Sequence, residues 1–377
     1  MSLKQIFSQD KAIGALQKAL AANKLAHAYI FAGPDGVGKF ATATEWGKVL
    51  LCNDPIIEKI SDGVFYDSCG QCQSCKVFEG AAHPDYHSVH KELRQYTKDG
   101  KGKTTPIDMP IDVIREFLIE KVADRPMMSK RAVYVICEAE KLNTSSQNAL
   151  LKVLEEPPEY CFIILLCSKV KTLLATTLSR CQVVQFGPVD ERRIIDKLTR
   201  MGLGSKEATY WARFSEQSIG SAISWAGLEL QDTSCYKIKK ELVSKLSKYK
   251  LSEAIEFAEW LSETGKKISK GWSEKEMEIS KKDITRRTQK GFLRMMIAAL
   301  DDAMKIKIAL DQKLVNNDQV PEIKAISSKD DVEKLAGKIV KAYENTRWVD
   351  SNVNEKLIFE ELLLNFAGSG TIIGPVV

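Results

Sequence analysis

Gly33-Pro34-Asp35-Gly36-Val37-Gly38-Lys39-Phe40 is the stretch whose reading decides the fold. Its spacing is that of a P-loop, in which glycines let backbone N–H groups close on phosphate oxygens while the lysine, here Lys39, reaches the outer phosphates. Gly33, Gly36, Gly38 and Lys39 are therefore the candidate phosphate-binding residues. A Ser or Thr should follow the lysine and hold Mg²⁺ through its hydroxyl. Phe40 stands there instead, with no oxygen to offer, so the sequence describes a nucleotide-binding fold with impaired chemistry of its own.

The flanking residues supply the elements that such a loop joins. Ala28 to Ala32 is a short apolar run ending at the loop, and Ala41 to Leu51 follows with helical spacing, giving strand, loop, helix. Ala132-Val133-Tyr134-Val135-Ile136 and Phe162-Ile163-Ile164-Leu165-Leu166 are further apolar strands. Between them, Thr144 to Glu155 reads as a helix capped by Asn143 or Thr144 and stopped at Pro157-Pro158. Apolar strands alternating with helices are buried on both faces, which predicts an α/β fold with a mostly parallel sheet.

At 377 residues, 44% hydrophobic and 28% charged, the chain can bury substantial cores and divides into two or three domains. No stretch of eighteen uninterrupted apolar residues occurs, and the N-terminus has no apolar run before Asp10 and Lys11, so the expectation is a cytoplasmic protein, neither secreted nor membrane-spanning. A net charge of +5 is compatible with nucleic-acid contact without indicating it.

Three cysteines, Cys69, Cys72 and Cys75, stand at two consecutive C-x-x-C spacings, and Cys52 upstream is a candidate fourth ligand for tetrahedral Zn²⁺. Four thiolates leave no open position for water, which makes such a site structural; the competing reading is a set of reduced surface cysteines. Cys137, Cys161, Cys167, Cys181 and Cys235 lie in apolar or helical contexts and read as structural thiols. His83, His87 and His90 surround a strand-like segment and are assigned surface and loop roles.

Taken in order, His27 to Phe31, Gly33 to Lys39, the Cys69 to Cys75 knuckle, Asn148 to Pro158 with its Leu-Glu-Glu-Pro-Pro end, and Ser179-Arg180-Cys181-Gln182 resemble one family: the bacterial DNA polymerase III clamp-loader subunits, AAA+ proteins of the gamma/tau and delta prime types. The resemblance covers roughly residues 1 to 225 through specific motifs and the remainder through length and helical character. It implies an AAA+ domain over 1–187 with the zinc knuckle at about 52–75, a small helical lid over 188–228 and a helical oligomerisation collar over 229–377. It also implies hetero-oligomeric partners: gamma/tau and delta subunits, the sliding clamp, and primed DNA through the assembly.

Within that family the departures favour the delta prime type. Phe40 removes the metal-binding hydroxyl, and Thr42, about 200° further round the helix, cannot replace it. Cys137 occupies the position of the Asp that holds Mg²⁺ through water. Glu138 matches the residue that polarises the attacking water, but its metal partners are missing, so ATP and Mg²⁺ are not expected to serve this chain as working cofactors. Ser168 falls at a sensor position, and Gly220 aligns with an arginine that active members direct at the phosphates. Arg180 matches the arginine that enters a neighbouring subunit's ATP site, so the resemblance implies catalysis in trans with little or no intrinsic ATPase. The alternatives are a gamma/tau-like clamp-loader ATPase and a stand-alone AAA+ nucleotide-binding regulator.

Two basic stretches carry less weight. Lys91 to Lys103 is polar, glycine-containing and mixed in charge, which predicts a surface loop. Lys266 to Arg287 interleaves acidic residues and reads as an exposed helix or insertion. Beyond it, 292–300 and 357–364 carry apolar faces at helical spacing, and the residues from Gly368 onward read as a flexible tail.

Overall fold

In the computed structural model, residues 2–60, 63–100, 106–276, 279–309, 313–351 and 353–367 are described; Lys101 to Lys103 and the tail from Gly368 lie outside them. Seven strands occur among them: β1 (Ala28–Ala32), β2 (Ile56–Ile60), β3 (Gly63–Asp67), β4 (Tyr86–Val89), β5 (Ala132–Ile136), β6 (Cys161–Cys167) and β7 (Gln182–Gln185). Five form a parallel sheet in the order β4-β5-β6-β1-β7.

Alternation along each strand sends successive side chains to opposite faces, and in the central strands both faces are apolar. On one face Ile30, Tyr134, Ile136, Ile163 and Leu165 pack with Leu150 and Leu154 of the helix Thr144–Glu155. On the other, Tyr29, Phe31, Val135 and Ile164 meet Trp46 and Leu50 of the helix Lys39–Leu51 and Leu16 of the helix Asp10–Ala21. Trp46 has no exposed surface, and emptying a site of that kind costs about 3–5 kcal/mol. At the sheet edge only Val184 of β7 is buried, which is why Gln182 and Gln185 are tolerated there.

Asn143 caps the helix Thr144–Glu155, accepting the Ser146 N–H at 2.8 Å. The buried Asp85 carboxylate accepts the N–H groups of Met127, Met128 and Ser129 at 2.6, 2.9 and 2.7 Å, pinning that turn to the start of β4. β2 and β3 form a separate antiparallel hairpin between Cys52 and Cys69, pairing Ile56 with Asp67 and Ile60 with Gly63.

The chain forms two compact units: Met1–Arg193 with Gln217–Ser221, and Ile194–Glu216 with Ala222–Val377. The second is helical, including Cys235–Lys248, Ala254–Lys275, Lys281–Lys307 and Val332–Asp350. The charged stretch read as an exposed helix or insertion is helical with its lysines outward, but its other face is packed: Trp272 is fully buried, with the Arg287 guanidinium 3.7 Å from its ring centre and Trp225 edge-on at 5.7 Å. Lys and Glu at the intervening positions masked this in the sequence, because the apolar residues that hold the helix are few and widely spaced. Lys239 and Asp318 form a buried ion pair at 2.6 Å, with the Tyr236 hydroxyl donating to the same carboxylate at 2.9 Å. Among the described residues no helix is long and apolar enough to cross a membrane.

Candidate functional site

The loop after β1 is bonded to its own chain. Lys39 is 7% exposed, and its Nζ lies 2.5 Å from the Gly33 carbonyl, 2.7 Å from that of Pro34 and 3.5 Å from Asp35 Oδ1. An ammonium has three donors, and three oxygens of the loop itself lie within reach of this one. Gln9 Nε2 donates to the carbonyls of Val37 and Gly187 at 3.0 and 2.9 Å. The Gly220 N–H donates to the Gly36 carbonyl at 2.7 Å.

The last contact demands two glycines. Gly36 has φ +71°, and a Cβ there would fall 2.3 Å from Ser218 Oγ. A Cβ on Gly220 would fall 2.9 Å from Gly36 Cα and 3.0 Å from its carbonyl oxygen. Gly33, Gly36, Gly38 and Lys39 thus lie in one loop, with the segment 217–221 laid against it at Gly36.

The surrounding positions have also found local partners. Phe40 is 51% exposed, and Thr42 spends its hydroxyl on the Gly38 carbonyl at 2.9 Å. Cys137 follows β5 with its sulfur 3.6 Å from Ser88 Oγ; burial pushes its thiol up to about 11, leaving a neutral soft atom where a hard cation would need oxygen. Glu138 adopts a left-handed backbone, φ +50°, and pairs with Lys141 at 2.5 Å. The Ser168 hydroxyl donates to Glu140 at 2.6 Å, and its N–H to the same carboxylate at 3.0 Å.

Arg180 lies elsewhere. β7 runs parallel to β1, with Gln182 beside Tyr29 and Gln185 beside Ala32. Arg180 therefore precedes the start of β7, at the end of the sheet where β1 also begins, whereas Lys39 follows the end of β1. The two cations are separated by the strand length, roughly 15 Å at about 3.3 Å per residue. Arg180 is reached through the short helix Ala175–Leu178, and its side chain remains 34% exposed.

The cysteine cluster is assembled by helix ends. Cys52 closes the helix Lys39–Leu51, and Cys72 caps the helix Gln73–Glu79, whose first turn carries the buried Cys75. The four sulfurs of Cys52, Cys69, Cys72 and Cys75 lie within 4.8 Å of one another. The Cys52–Cys69 and Cys52–Cys75 separations are both 3.6 Å, Cys52–Cys72 is 3.9 Å and Cys69–Cys75 is 4.0 Å. Tetrahedral zinc with bonds of about 2.3 Å requires sulfurs about 3.8 Å apart, so the donor set fits that ion.

Backbone N–H groups face the sulfurs: Cys72 to Cys69 at 3.3 Å, Cys69 to Cys52 at 3.4 Å and Cys75 to Cys72 at 3.5 Å. At Cys72 burial raises the thiol, but hydrogen bonds from Cys75, Asn53 and Cys69 outweigh it and bring it down to about 6, whereas burial pushes the Cys52 and Cys75 thiols up.

Beneath the cluster the histidine reading needs correction. His83 is buried rather than superficial. The Ser74 hydroxyl donates to the Leu51 carbonyl at 2.7 Å, which leaves His83 Nε2 to donate to Ser74 at 2.9 Å, while Nδ1 accepts the Asp85 N–H at 3.1 Å. Burial holds its pKa below the ordinary value, against the pull of Asp85. His87 stacks on Tyr134 at 4.6 Å and is likewise lowered by burial. A polar sequence around His83 hid a tertiary bond that only the fold brings together.

The family described as DNA polymerase III, delta subunit, matches residues 8–190, and the one described as DNA polymerase III, delta subunit, C terminal, matches residues 282–368. The DNA polymerase III subunit tau/gamma of Haemophilus influenzae is 33% identical over 196 residues, which are 52% of this chain and 25% of that protein. The DNA polymerase III subunit delta' of Bacillus subtilis is 24% identical over 357 residues, 94% of this chain and 95% of that protein. This chain thus spans a quarter of the first relative and nearly all of the second. A solved structure of a DNA polymerase III gamma subunit-related protein from Thermotoga maritima covers 94% of this chain and 98% of its own, at 14% identity and a TM-score of 0.45.

Proposed function

Because this chain belongs to the DNA polymerase III delta-subunit family, we propose that it is a delta-prime-type clamp-loader subunit: a stator that helps load a sliding clamp onto primed DNA and supplies Arg180 to the ATP site of a neighbouring gamma/tau-type subunit. One observation carries the reading. Arg180 precedes β7 and Lys39 follows β1, so they stand at opposite ends of two paired parallel strands, which supports a role for this arginine away from this chain's own loop. The guanidinium would stabilise charge developing on a transferring phosphoryl group.

The loop itself is proposed to be a degenerate P-loop, with Lys39, Gly36 and Gly220 acting as a structural joint, and with Glu138 idle beside Lys141. Any bound phosphate would have to displace the bonds that Lys39 and Gly220 already make. Cys52, Cys69, Cys72 and Cys75 would hold one structural Zn²⁺, which closes the hairpin-bearing insertion and takes no part in the reaction. A lid over 188–228 and a collar over 229–377 complete the proposed division of a cytoplasmic, hetero-oligomeric protein.

Copurification of the full chain from its native cells tests the assignment. Recovery with gamma/tau, delta and sliding-clamp subunits supports it, and recovery free of all replication proteins contradicts it and favours a stand-alone regulator.

A further inference from the structure

Arg180 is bonded to its own chain. Its Nη2 lies 2.7 Å from Glu155 Oε1, and its Nη1 donates to the Thr176 carbonyl at 3.0 Å and to Ser179 Oγ at 3.3 Å. Both terminal nitrogens are therefore engaged on the same chain. Glu155 is the last residue of the helix Thr144–Glu155, which places it near the edge where β7 begins. The pair is partly open to water, with the Arg180 side chain 34% and the Glu155 side chain 49% exposed.

We propose that Glu155 is the resting partner of Arg180, a carboxylate that holds the guanidinium on its own chain and releases it when a neighbour's nucleoside triphosphate takes its place. This inference rests on the trans-acting reading given above. A carboxylate that stayed on Nη2 would carry its negative charge into the phosphate site together with the arginine's positive one. The net charge delivered would then be zero, and the arginine could not offset the charge that develops on the phosphoryl oxygens. The ligand that displaces Glu155 must offer an anion of comparable geometry, which phosphate oxygens do. Partial exposure makes the exchange inexpensive, because such ion pairs are weak and screened. Glu155 thus acts on the reaction through Arg180, as a positioning residue with an opposing sign.

The test reconstitutes the clamp loader from its own ATPase and delta subunits with wild-type chain, E155Q, R180A or E155Q/R180A, and reads kcat/KM for Mg-ATP at low and high salt. The R180A-sensitive part of the rate isolates the site this chain serves. In E155Q that part should rise by about two- to fivefold at low salt, the factor such a pair is worth, and converge with wild type at high salt. E155Q/R180A should match R180A. An unchanged or lower rate in E155Q, or a rise that persists without Arg180, overturns the proposal. If R180A itself leaves the rate unchanged in an intact assembly, the trans-acting reading fails first, which distinguishes the two failures.

Discussion

Gly220 and Gly36 touch backbone to backbone: the amide of one donates to the carbonyl of the other across 2.7 Å, with no room for a Cβ on either. The family resemblance puts a phosphate-directed arginine at position 220. In this chain the same position is a joint that closes the loop. Glu216 and Gln217, just before it, both have positive φ, +50° and +67°, so the approach of this segment is backbone-constrained as well.

Gly220→Ala should therefore destabilise the first unit without opening it to nucleotide. The new methyl group meets backbone atoms that cannot rotate away, and overpacking of this kind costs about 1–3 kcal/mol. Thermal unfolding of the full chain should show a lowered Tm, and fluorescent ATP analogues should bind no better than to wild type. An unchanged Tm would show that the contact is not tight in solution.

Lys39 separates a structural lysine from a catalytic one. In the closed loop, Lys39→Ala strips partners from the Gly33 and Pro34 carbonyls and should cost about 1–3 kcal/mol of stability, while ATP turnover of the isolated chain should be negligible in this variant and in wild type alike. Phe40→Thr should not restore turnover, since Cys137 and Gly220 remove separate parts of the site and such parts combine non-additively. Robust Mg²⁺-dependent hydrolysis by wild type, abolished in Lys39→Ala, would move the chain to the motor class.

Zinc should be present at about one equivalent in protein purified without chelator, because four cysteine sulfurs at these separations would close a tetrahedral site around it. Chelation should open 52–83 to protease before the parallel sheet unfolds, as the sheet has its own apolar core. Metal content below about half an equivalent would contradict the site.

Stability should fall on acidification through the histidine range. Burial lowers the folded-state pKa of His83 and His87 below the unfolded value of about 6.5, so the unfolded state takes up protons first; their contribution is intact above that pH and lost as pH falls from it towards the folded values. Each such proton accounts for at most about 1.4 kcal/mol per pH unit. His87→Phe keeps the ring against Tyr134 and should flatten its share of the slope in denaturant titrations between pH 5 and 7. An unaltered slope would mean that His87 does not change its protonation on folding.

What the sequence made legible was local or doubly buried. β1, β5 and β6 announce themselves because every residue is apolar, and the helix Thr144–Glu155 because its cap and its prolines bracket it. β7 did not, since an edge strand with Gln182 and Gln185 outward has no apolar run to detect. The β2–β3 hairpin was equally silent: its isoleucines are exposed, so no core-facing alternation marks it. At the site, residue types and spacings were readable, including the four cysteines. The Gly36–Gly220 joint, the His83–Ser74 bond and the Glu155–Arg180 pair were not, because each joins residues distant in the chain or unmarked by any pattern. The placement of Lys39 and Arg180 at opposite ends of paired strands depended on the parallel β1–β7 pairing, which periodicity does not supply.

The most direct measurement of the central claim is the DNA- and clamp-stimulated ATPase rate of a clamp loader reconstituted with Arg180→Ala in place of the wild-type chain, with assembly verified by gel filtration. An arginine supplied in trans contributes about 10³–10⁵ in rate at the site it serves, but sites served by other subunits keep turning over. The account predicts an intact complex with a partial fall in total ATPase and slower clamp loading, and an isolated chain that unfolds at the wild-type temperature. Unchanged ATPase and loading rates in the verified assembly would contradict it.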